Sequence, residues 1–192
     1  VMTTSTVRNR GNWTVNAGGG FTTGTGTVVM NPASGTKAIT TSGTNFYNLT
    51  VNGAGGTAVN LPDSDLTVGG RLTVTSGTLN FDNDKNLTVS DGGATGTAVS
   101  IGAAGTLANT GTGDLTLAGA VSNAGAVSFD SSDDAGDAIQ LRSSVNGTQR
   151  NWQGAGTYSM TDVNVKDQTV VGGLPAGINT VSSTNAGNNI NW

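Results

Sequence analysis

The chain has 192 residues, a formal net charge of −4 and only 10% charged side chains. It contains no Cys, no His and no Glu, which excludes disulfide bonds and thiol chemistry and leaves acid–base chemistry to Asp, Lys, Arg and Tyr. Because no basic stripe is present to neutralise phosphates, we expect neither nucleic acid nor an anionic membrane surface as a partner. No run of about 18 apolar residues occurs, so we expect no membrane insertion.

The first 47 residues contain three short apolar stretches, Trp13-Thr14-Val15, Val28-Val29-Met30 and the neighbourhood of Ile39. They alternate with segments rich in Gly, Asn and Thr, and Gly and Asn favour turns. We interpret the stretches as strands belonging to about two coils of a repeating structure.

From residue 48 onwards one four-residue pattern recurs, with polar residues at its first and third places and apolar residues at its second and fourth. This alternation predicts a short strand with one buried face. One strand that recurs every 17 to 28 residues is typical of a solenoid, in which each coil buries its face by stacking on its neighbours. The copies, some of them decayed, lie at residues 48–51, 65–68, 86–89, 114–117, 138–141 and 162–165.

Further short strands are predicted between these copies, at residues 72–74, 78–81, 98–101, 106–107 and 126–129. Three strands per coil predict an all-β fold, a right-handed parallel β-helix (β-solenoid) of about eight three-strand coils, in a single domain over residues 1–192. The polar stretch 131–136 is expected to protrude as a loop, and the stretch after Val170 is expected to form the last coil.

The same register predicts columns of equivalent residues in adjacent coils. Neutral residues separate the carboxylates of the polar column, which has a structural reason because directly opposed like charges destabilise a sheet. The predicted inner column is Leu49, Leu66, Leu87, Leu115, Ile139 and Val163. The outward Thr-rich column is Thr50, Thr67, Thr88, Thr116, Gln140 and Asn164. The polar column before them is Asn48, Asp65, Asn86, Asp114, Ala138 and Asp162.

Several segments carry a resemblance to a known class: Gly11-Asn12-Trp13, Phe21 with the Gly-Thr stretch at 24–28, residues 46–51, Ser76-Gly77-Thr78-Leu79, and residues 185–192. Together they resemble bacterial secreted parallel β-helix repeat proteins, which form adhesin-like modules of long surface polypeptides. The resemblance implies an extracellular or cell-surface location and a structural or adhesive role. It implies no catalytic residues and no cofactor, so we expect no enzyme activity.

Calcium is the one cofactor for which candidate ligands exist, because Ca²⁺ takes carboxylate and carbonyl oxygens. The tight acidic clusters are Asp82 with Asp84, and Asp133 with Asp134 and Asp137. Asp82 starts a segment that begins like an EF-hand loop, but Leu87 stands where that loop needs Gly and Gly93 stands where it needs an acidic residue. We therefore favour solvated turns over a metal site.

Three other functions compete with a structural role. A polysaccharide-degrading β-helix enzyme would need two Asp residues as a glycosidase pair, or, as a lyase, a base beside a cation such as Arg71, Arg142, Arg150 or Lys166. An ice-binding surface is disfavoured because the outward Thr column is one residue wide. Surface glycans could stack on aromatic residues, but we expect these mostly to pack in the core: Trp13, Phe21, Phe46, Tyr47, Phe81, Phe129, Trp152 and Tyr158.

The two ends of a solenoid expose backbone groups that invite pairing with another chain. We see no capping helix or charged cap at either end, and no signal peptide, so we interpret the sequence as a segment or mature form of a longer exported protein. Partners are expected to be adjoining domains or another copy of the chain, joined through the ends. The predicted self-assembly strand consists of Thr3, Thr4, Ser5, Thr6 and Val7.

Overall fold

A computed structural model describes residues 4–22, 24–61, 64–81, 84–90, 96–131, 137–172 and 177–192. In these residues the regular structure is entirely β, and no helix long and apolar enough to cross a membrane occurs. All pairings between named strands are parallel, and each strand inside a row pairs with strands from the preceding and following passes of the chain. This arrangement is consistent with a β-solenoid.

The strands form three rows, which the chain visits in turn. Row 1 contains β1 (Thr6–Asn9), β3 (Thr27–Met30), β5 (Asn48–Asn52), the first parts of β8 (Leu72–Asn80) and β10 (Thr97–Asn109), β12 (Ala120–Asn123), β15 (Arg150–Gln153) and β18 (Gln168–Val170). Row 2 contains β2 (Trp13–Thr14), β4 (Thr36–Thr40), β6 (Ala58–Asn60), the second parts of β8 and β10, β13 (Ala126–Asp130), β16 (Thr157–Thr161) and β19 (Thr180–Val181). Row 3 contains β7 (Leu66–Val68), β9 (Leu87–Val89), β11 (Leu115–Leu117), β14 (Ile139–Ser143), β17 (Val163–Val165) and β20 (Thr184–Asn185).

One hydrophobic core lies between the rows, because alternate residues of each strand point inward. Leu66, Leu87 and Leu115 are at most 1% exposed. They pair in register on parallel strands, with the half-buried Thr67, Thr88 and Thr116 between the inward positions, as predicted. The predicted packing role of the aromatic residues is also confirmed, since Trp152, Phe46, Phe81 and Phe129 are among the largest fully buried side chains.

A repeated Asn-x-Gly motif turns the chain at the ends of strands. The Asn side-chain oxygen accepts the backbone N–H two residues later, a local turn that Asn forms readily. The distance is 3.0 Å at Asn9 and 2.9 Å at Asn109, Asn123 and Asn185. Asn109 and Asn123 are fully buried, so these side chains satisfy backbone groups inside the corners.

Two predicted register positions are wrong. Leu49 lies on row 1, where it pairs with Val28 and Leu72, whereas Phe46 bridges to Val68 of row 3. Leu115 pairs with Leu141 and not with Ile139, a shift of two residues. A two-residue shift preserves the inward face of a strand, so both Ile139 and Leu141 remain fully buried.

The polar and outward columns change accordingly. Asn48 does not belong to the polar column of row 3. Gln140 takes the place predicted for Ala138, and Arg142 takes the outward place predicted for Gln140. The prediction of a protruding loop fails at Ser131, which is fully buried and donates to the Asp162 carbonyl at 2.8 Å, while residues 132–136 lie outside the described part of the chain.

Candidate interaction surfaces

A polar ladder runs along row 3 and consists of Asp65, Asn86, Asp114 and Gln140. The Oδ1 atom of each of the first three side chains accepts a hydrogen bond from the backbone N–H of the next member, at distances of 2.8, 2.8 and 2.9 Å. Asn86 also donates from Nδ2 to Asp65 Oδ2 at 3.3 Å. Each such hydrogen bond contributes on the order of 1 kcal/mol net. The alternation of Asp and Asn therefore links successive strands as well as separating charges.

Asp114 is a ladder member whose carboxyl pKa is raised. Burial raises the pKa of this carboxyl above its ordinary value of 3.8, while the Gln140 N–H and the Arg142 guanidinium oppose that rise. The charges of Asp137 and Asp65 raise the pKa further. The combination identifies Asp114 as a structural carboxylate whose ionisation is disfavoured by the folded chain.

Arg142 ends the outward Thr column. Its guanidinium donates to Asn164 Oδ1 at 3.0 Å and to the Asn164 carbonyl at 2.5 Å, and it also contacts Gln140 Oε1. These bonds tie β14 to β17 through side chains as well as through the backbone. Arg142 therefore supports the sheet, and its donors are directed at protein acceptors.

The acidic residues predicted as calcium ligands do not form a described cluster. Asp82, Asp133 and Asp134 lie outside the described residues. Asp84 accepts from Thr112 Oγ1 at 2.7 Å and from the Thr112 N–H at 3.2 Å, and these bonds lower the pKa of Asp84. In the described ranges no group of three or more potential acidic, His or Cys ligands gathers.

At the N-terminal end, the predicted self-assembly strand is partly ordered against its own chain. Thr6 and Val7 belong to β1 and pair with Thr27 and Val28, while Thr4 and Ser5 are exposed and Thr3 lies outside the described residues. Beside this end the core terminates in an aromatic cluster. Trp13 lies edge-on to Phe21, with ring centroids 4.8 Å apart, and to Phe46, with centroids 5.5 Å apart.

At the C-terminal end, residues 188–192 form what we call the C-terminal segment, which pairs in parallel with β18 through a bridge between Thr169 and Ile190. The Val170 N–H donates to the Ile190 carbonyl and the Ile190 N–H donates to the Gln168 carbonyl, both at 3.0 Å. Trp192 then packs edge-on against the buried Trp152, with ring centroids 5.4 Å apart. Val181 and Ile190, 61% and 50% exposed, leave apolar surface at this end.

Asp167 anchors the C-terminal segment, a role that the sequence reading missed. Its side chain accepts from Asn188 Nδ2 at 2.6 Å and from the Gly147 N–H at 3.0 Å, and these two bonds lower the pKa of Asp167. Only 2% of Asp167 is exposed. The Asn-rich end of the sequence could have indicated this attachment, because Asn188 and Asn189 make most of the side-chain hydrogen bonds there.

The surface also carries open depressions. One, of about 370 Å³, lies near the corner between rows 1 and 2 and is lined by Arg10, Asn31, Asn52 and Ser76, among others. Another, of about 340 Å³, is lined by residues that include Gln149, Arg150 and Asn151. Both are open to solvent, and neither is lined by the two Asp side chains that a glycosidase would need.

No protein-family model, curated protein or solved structure matches this chain. Its function is therefore inferred from its sequence and from the geometry of its surfaces.

Proposed function

We propose that this chain is a right-handed parallel β-helix of about eight coils, one for each strand of row 1, that serves as a stiff spacer or filament-forming subunit of an exported bacterial surface protein. The observation that carries the proposal is the succession of three parallel rows over one continuous core. At a strand spacing of about 4.8 Å, eight coils give a rod on the order of 40 Å long.

Stiffness follows from the way in which successive passes of the chain are joined. Successive passes are joined by backbone hydrogen bonds on rows 1 and 2 and, from β7 onwards, on row 3 as well, where the polar ladder adds side-chain bonds. Bending the rod would have to break these bonds on one side, and twisting it would disturb the packed core. Such a module holds its two ends at a fixed distance. It also resists proteases, because the backbone of its inner strands is hydrogen-bonded on both sides.

The ends carry the proposed assembly contacts. β1 pairs with β3 along one edge, and its other edge, with Thr4 and Ser5 directly before it, is offered to an adjoining domain or to a second copy of the chain. At the opposite end β19 and β20 are the last strands of rows 2 and 3. A head-to-tail contact is heterologous, so it produces filaments when it does not close on itself.

Small-angle scattering and electron microscopy of the isolated chain test this proposal. We expect a rod at low concentration and end-to-end growth at high concentration. Growth should be abolished by Thr6→Pro: the Thr27 N–H donates to the Ser5 carbonyl, so the parallel register directs the Thr6 N–H to the free edge of β1, and Pro removes that donor. Val145→Pro in an exposed loop is the matched control and should leave growth unchanged. A monomer of constant size at high concentration would remove the filament role and leave the spacer role, and a flexible or globular particle would remove both.

Carbohydrate recognition is a second candidate function, which the depression beside Arg10 favours. Its lining by Asn31, Asn52 and Ser76 offers amide and hydroxyl groups that suit sugar hydroxyls. A glycan array tests it. Binding that is lost in Arg10→Ala and retained in Arg8→Ala would favour an adhesive face, whereas no binding to any glycan would favour the spacer.

A further inference from the structure

The loop between β14 and β15 is an exposed turn with an unusual set of neighbours. Val145, 54% exposed, marks its tip, and Asn146 and Gly147 are exposed as well. The Thr148 N–H donates to the Val145 carbonyl at 3.0 Å, which closes the turn. Gly147 has a φ of 81°, a left-handed conformation that Gly adopts without strain.

Two charged side chains from the next pass of the chain contact the Asn146-Gly147 unit at complementary atoms. Lys166 Nζ donates to Asn146 Oδ1 at 2.6 Å. Asp167 Oδ2 accepts the Gly147 N–H at 3.0 Å. The Lys166 ammonium is therefore hydrogen-bonded to the Asn146 side-chain oxygen, and the Asp167 carboxylate is hydrogen-bonded to the backbone nitrogen of Gly147.

We propose that Asn146 is a site of spontaneous deamidation promoted by Lys166 and Asp167. The Gly147 backbone nitrogen attacks Asn146 Cγ, the bond from Cγ to the side-chain nitrogen breaks, and ammonia leaves with the proton released from Gly147. The resulting five-membered imide is opened by water to an aspartyl or isoaspartyl residue. No oxidant or reductant is needed, and water is the only co-reactant.

Each neighbour assists one part of this reaction. The Lys166 ammonium stabilises the negative charge that develops on Asn146 Oδ1 during attack, as donors do in an oxyanion hole. Asp167 lies where the Gly147 proton must depart, in the position of a general base. Gly147 adds no side chain to hinder ring closure, and no atom lies within 4 Å of the place where its Cβ would stand.

The chain contains a second Asn-Gly pair, which provides an internal control. Asn52 ends β5, and the Gly53 N–H donates to the Ser76 carbonyl at 3.1 Å. Ser76 Oγ lies 3.1 Å from Asn52 Oδ1. A Cβ at Gly53 would stand 2.0 Å from Thr57 Oγ1, so this backbone is tightly enclosed. Asn52 has no cation comparable to Lys166 on its side-chain oxygen among its described hydrogen bonds, and we expect it to persist.

The modification has a structural consequence at the C-terminal end. Asn188 Nδ2 donates to the Gly147 carbonyl at 3.2 Å, and Gln149 Nε2 donates to the Asn188 carbonyl at 2.9 Å. An isoaspartyl link lengthens the backbone by one carbon and so displaces the Gly147 carbonyl that Asn188 binds. This change weakens the attachment of the loop to the C-terminal segment, whereas an aspartyl product keeps the backbone length and places its carboxylate beside Lys166.

The test is to age the intact folded protein at neutral pH and physiological temperature in heavy-oxygen water, followed by peptide mapping. We expect label and both product forms at position 146, appearing on the order of tenfold faster than at position 52. Lys166→Met should slow labelling at position 146 several-fold, and Lys166→Arg should restore it, with folding of both variants checked by thermal melting. Equal persistence of Asn146 and Asn52, or an unchanged rate in Lys166→Met, would overturn the proposal.

A second measurement follows the consequence. Hydrogen exchange of residues 188–192 should be faster in aged protein that contains isoaspartate at position 146 than in fresh protein or in Asn146→Asp, while exchange of β9 stays the same. Unchanged exchange of the C-terminal segment after complete modification would overturn the proposed loosening.

Discussion

Replacement of Leu87 by Ala tests the register of row 3. Leu87 is fully buried and lies between Leu66 and Leu115, which pair with it on either side. Deleting a buried Leu side chain costs about 2–5 kcal/mol, and the cost is greatest where the surroundings cannot collapse. Backbone bonds hold β9 to both neighbouring strands, so we expect a loss in the upper half of that range, measured as the change in free energy of unfolding in urea.

Thr88→Ala is the matched control, because Thr88 is the next residue on the same strand and points outward. Loss of one β-branched side chain from a half-exposed strand position costs less than about 1 kcal/mol. Both substitutions lie on β9, between the same two neighbouring strands, β7 and β11. Comparable losses at both positions would refute the assignment of inward and outward faces.

Three further predictions concern the ladder, a corner and metal. Asp114→Asn should raise stability at neutral pH, since burial raises the folded pKa above 3.8. The native state then binds more protons than the unfolded state, and stability falls as pH rises from about that value through the raised pKa. Urea midpoints of both proteins across pH measure this, and equal pH profiles would contradict it. Gly113→Ala should cost about 1–3 kcal/mol, because the new Cβ would stand 2.2 Å from the Lys85 carbonyl oxygen, whereas Gly55→Ala meets open space and should be nearly neutral; equal melting temperatures would contradict this. EDTA should leave the melting temperature unchanged, and a Ca²⁺-dependent rise would restore the calcium interpretation.

The period-two pattern predicted the strands of row 3 because inward residues there are almost all Leu or Val. It failed at Leu49, where residues 48–51 have the same sequence as residues 86–89, Asn-Leu-Thr-Val, but lie on row 1. Local pattern identifies a buried strand without identifying the row on which it lies. That choice depends on how the neighbouring passes of the chain stack, here on the Phe46 bridge to Val68.

The shift between β11 and β14 shows a second limit of the pattern. Pairing Leu115 with Ile139 or with Leu141 buries the same face, so hydrophobic alternation cannot distinguish them. The observed choice places the Gln140 N–H on Asp114 Oδ1 and Arg142 beside Asn164. Side-chain hydrogen bonds of this kind depend on three-dimensional placement, as do the contacts of Asp167 with Gly147 and Asn188.

The polar ladder restricts how a chain of this kind can change its length during evolution. Leu72 and Val99 occupy equivalent places on row 1, so residues 72–98 constitute one period that could be lost with the three rows still in phase. Its loss would bring Asp114 directly onto Asp65, and adjacent like charges destabilise a sheet. Duplication or deletion of two periods at a time preserves the alternation of charged and neutral members, whereas a single period requires a compensating exchange of Asp for Asn.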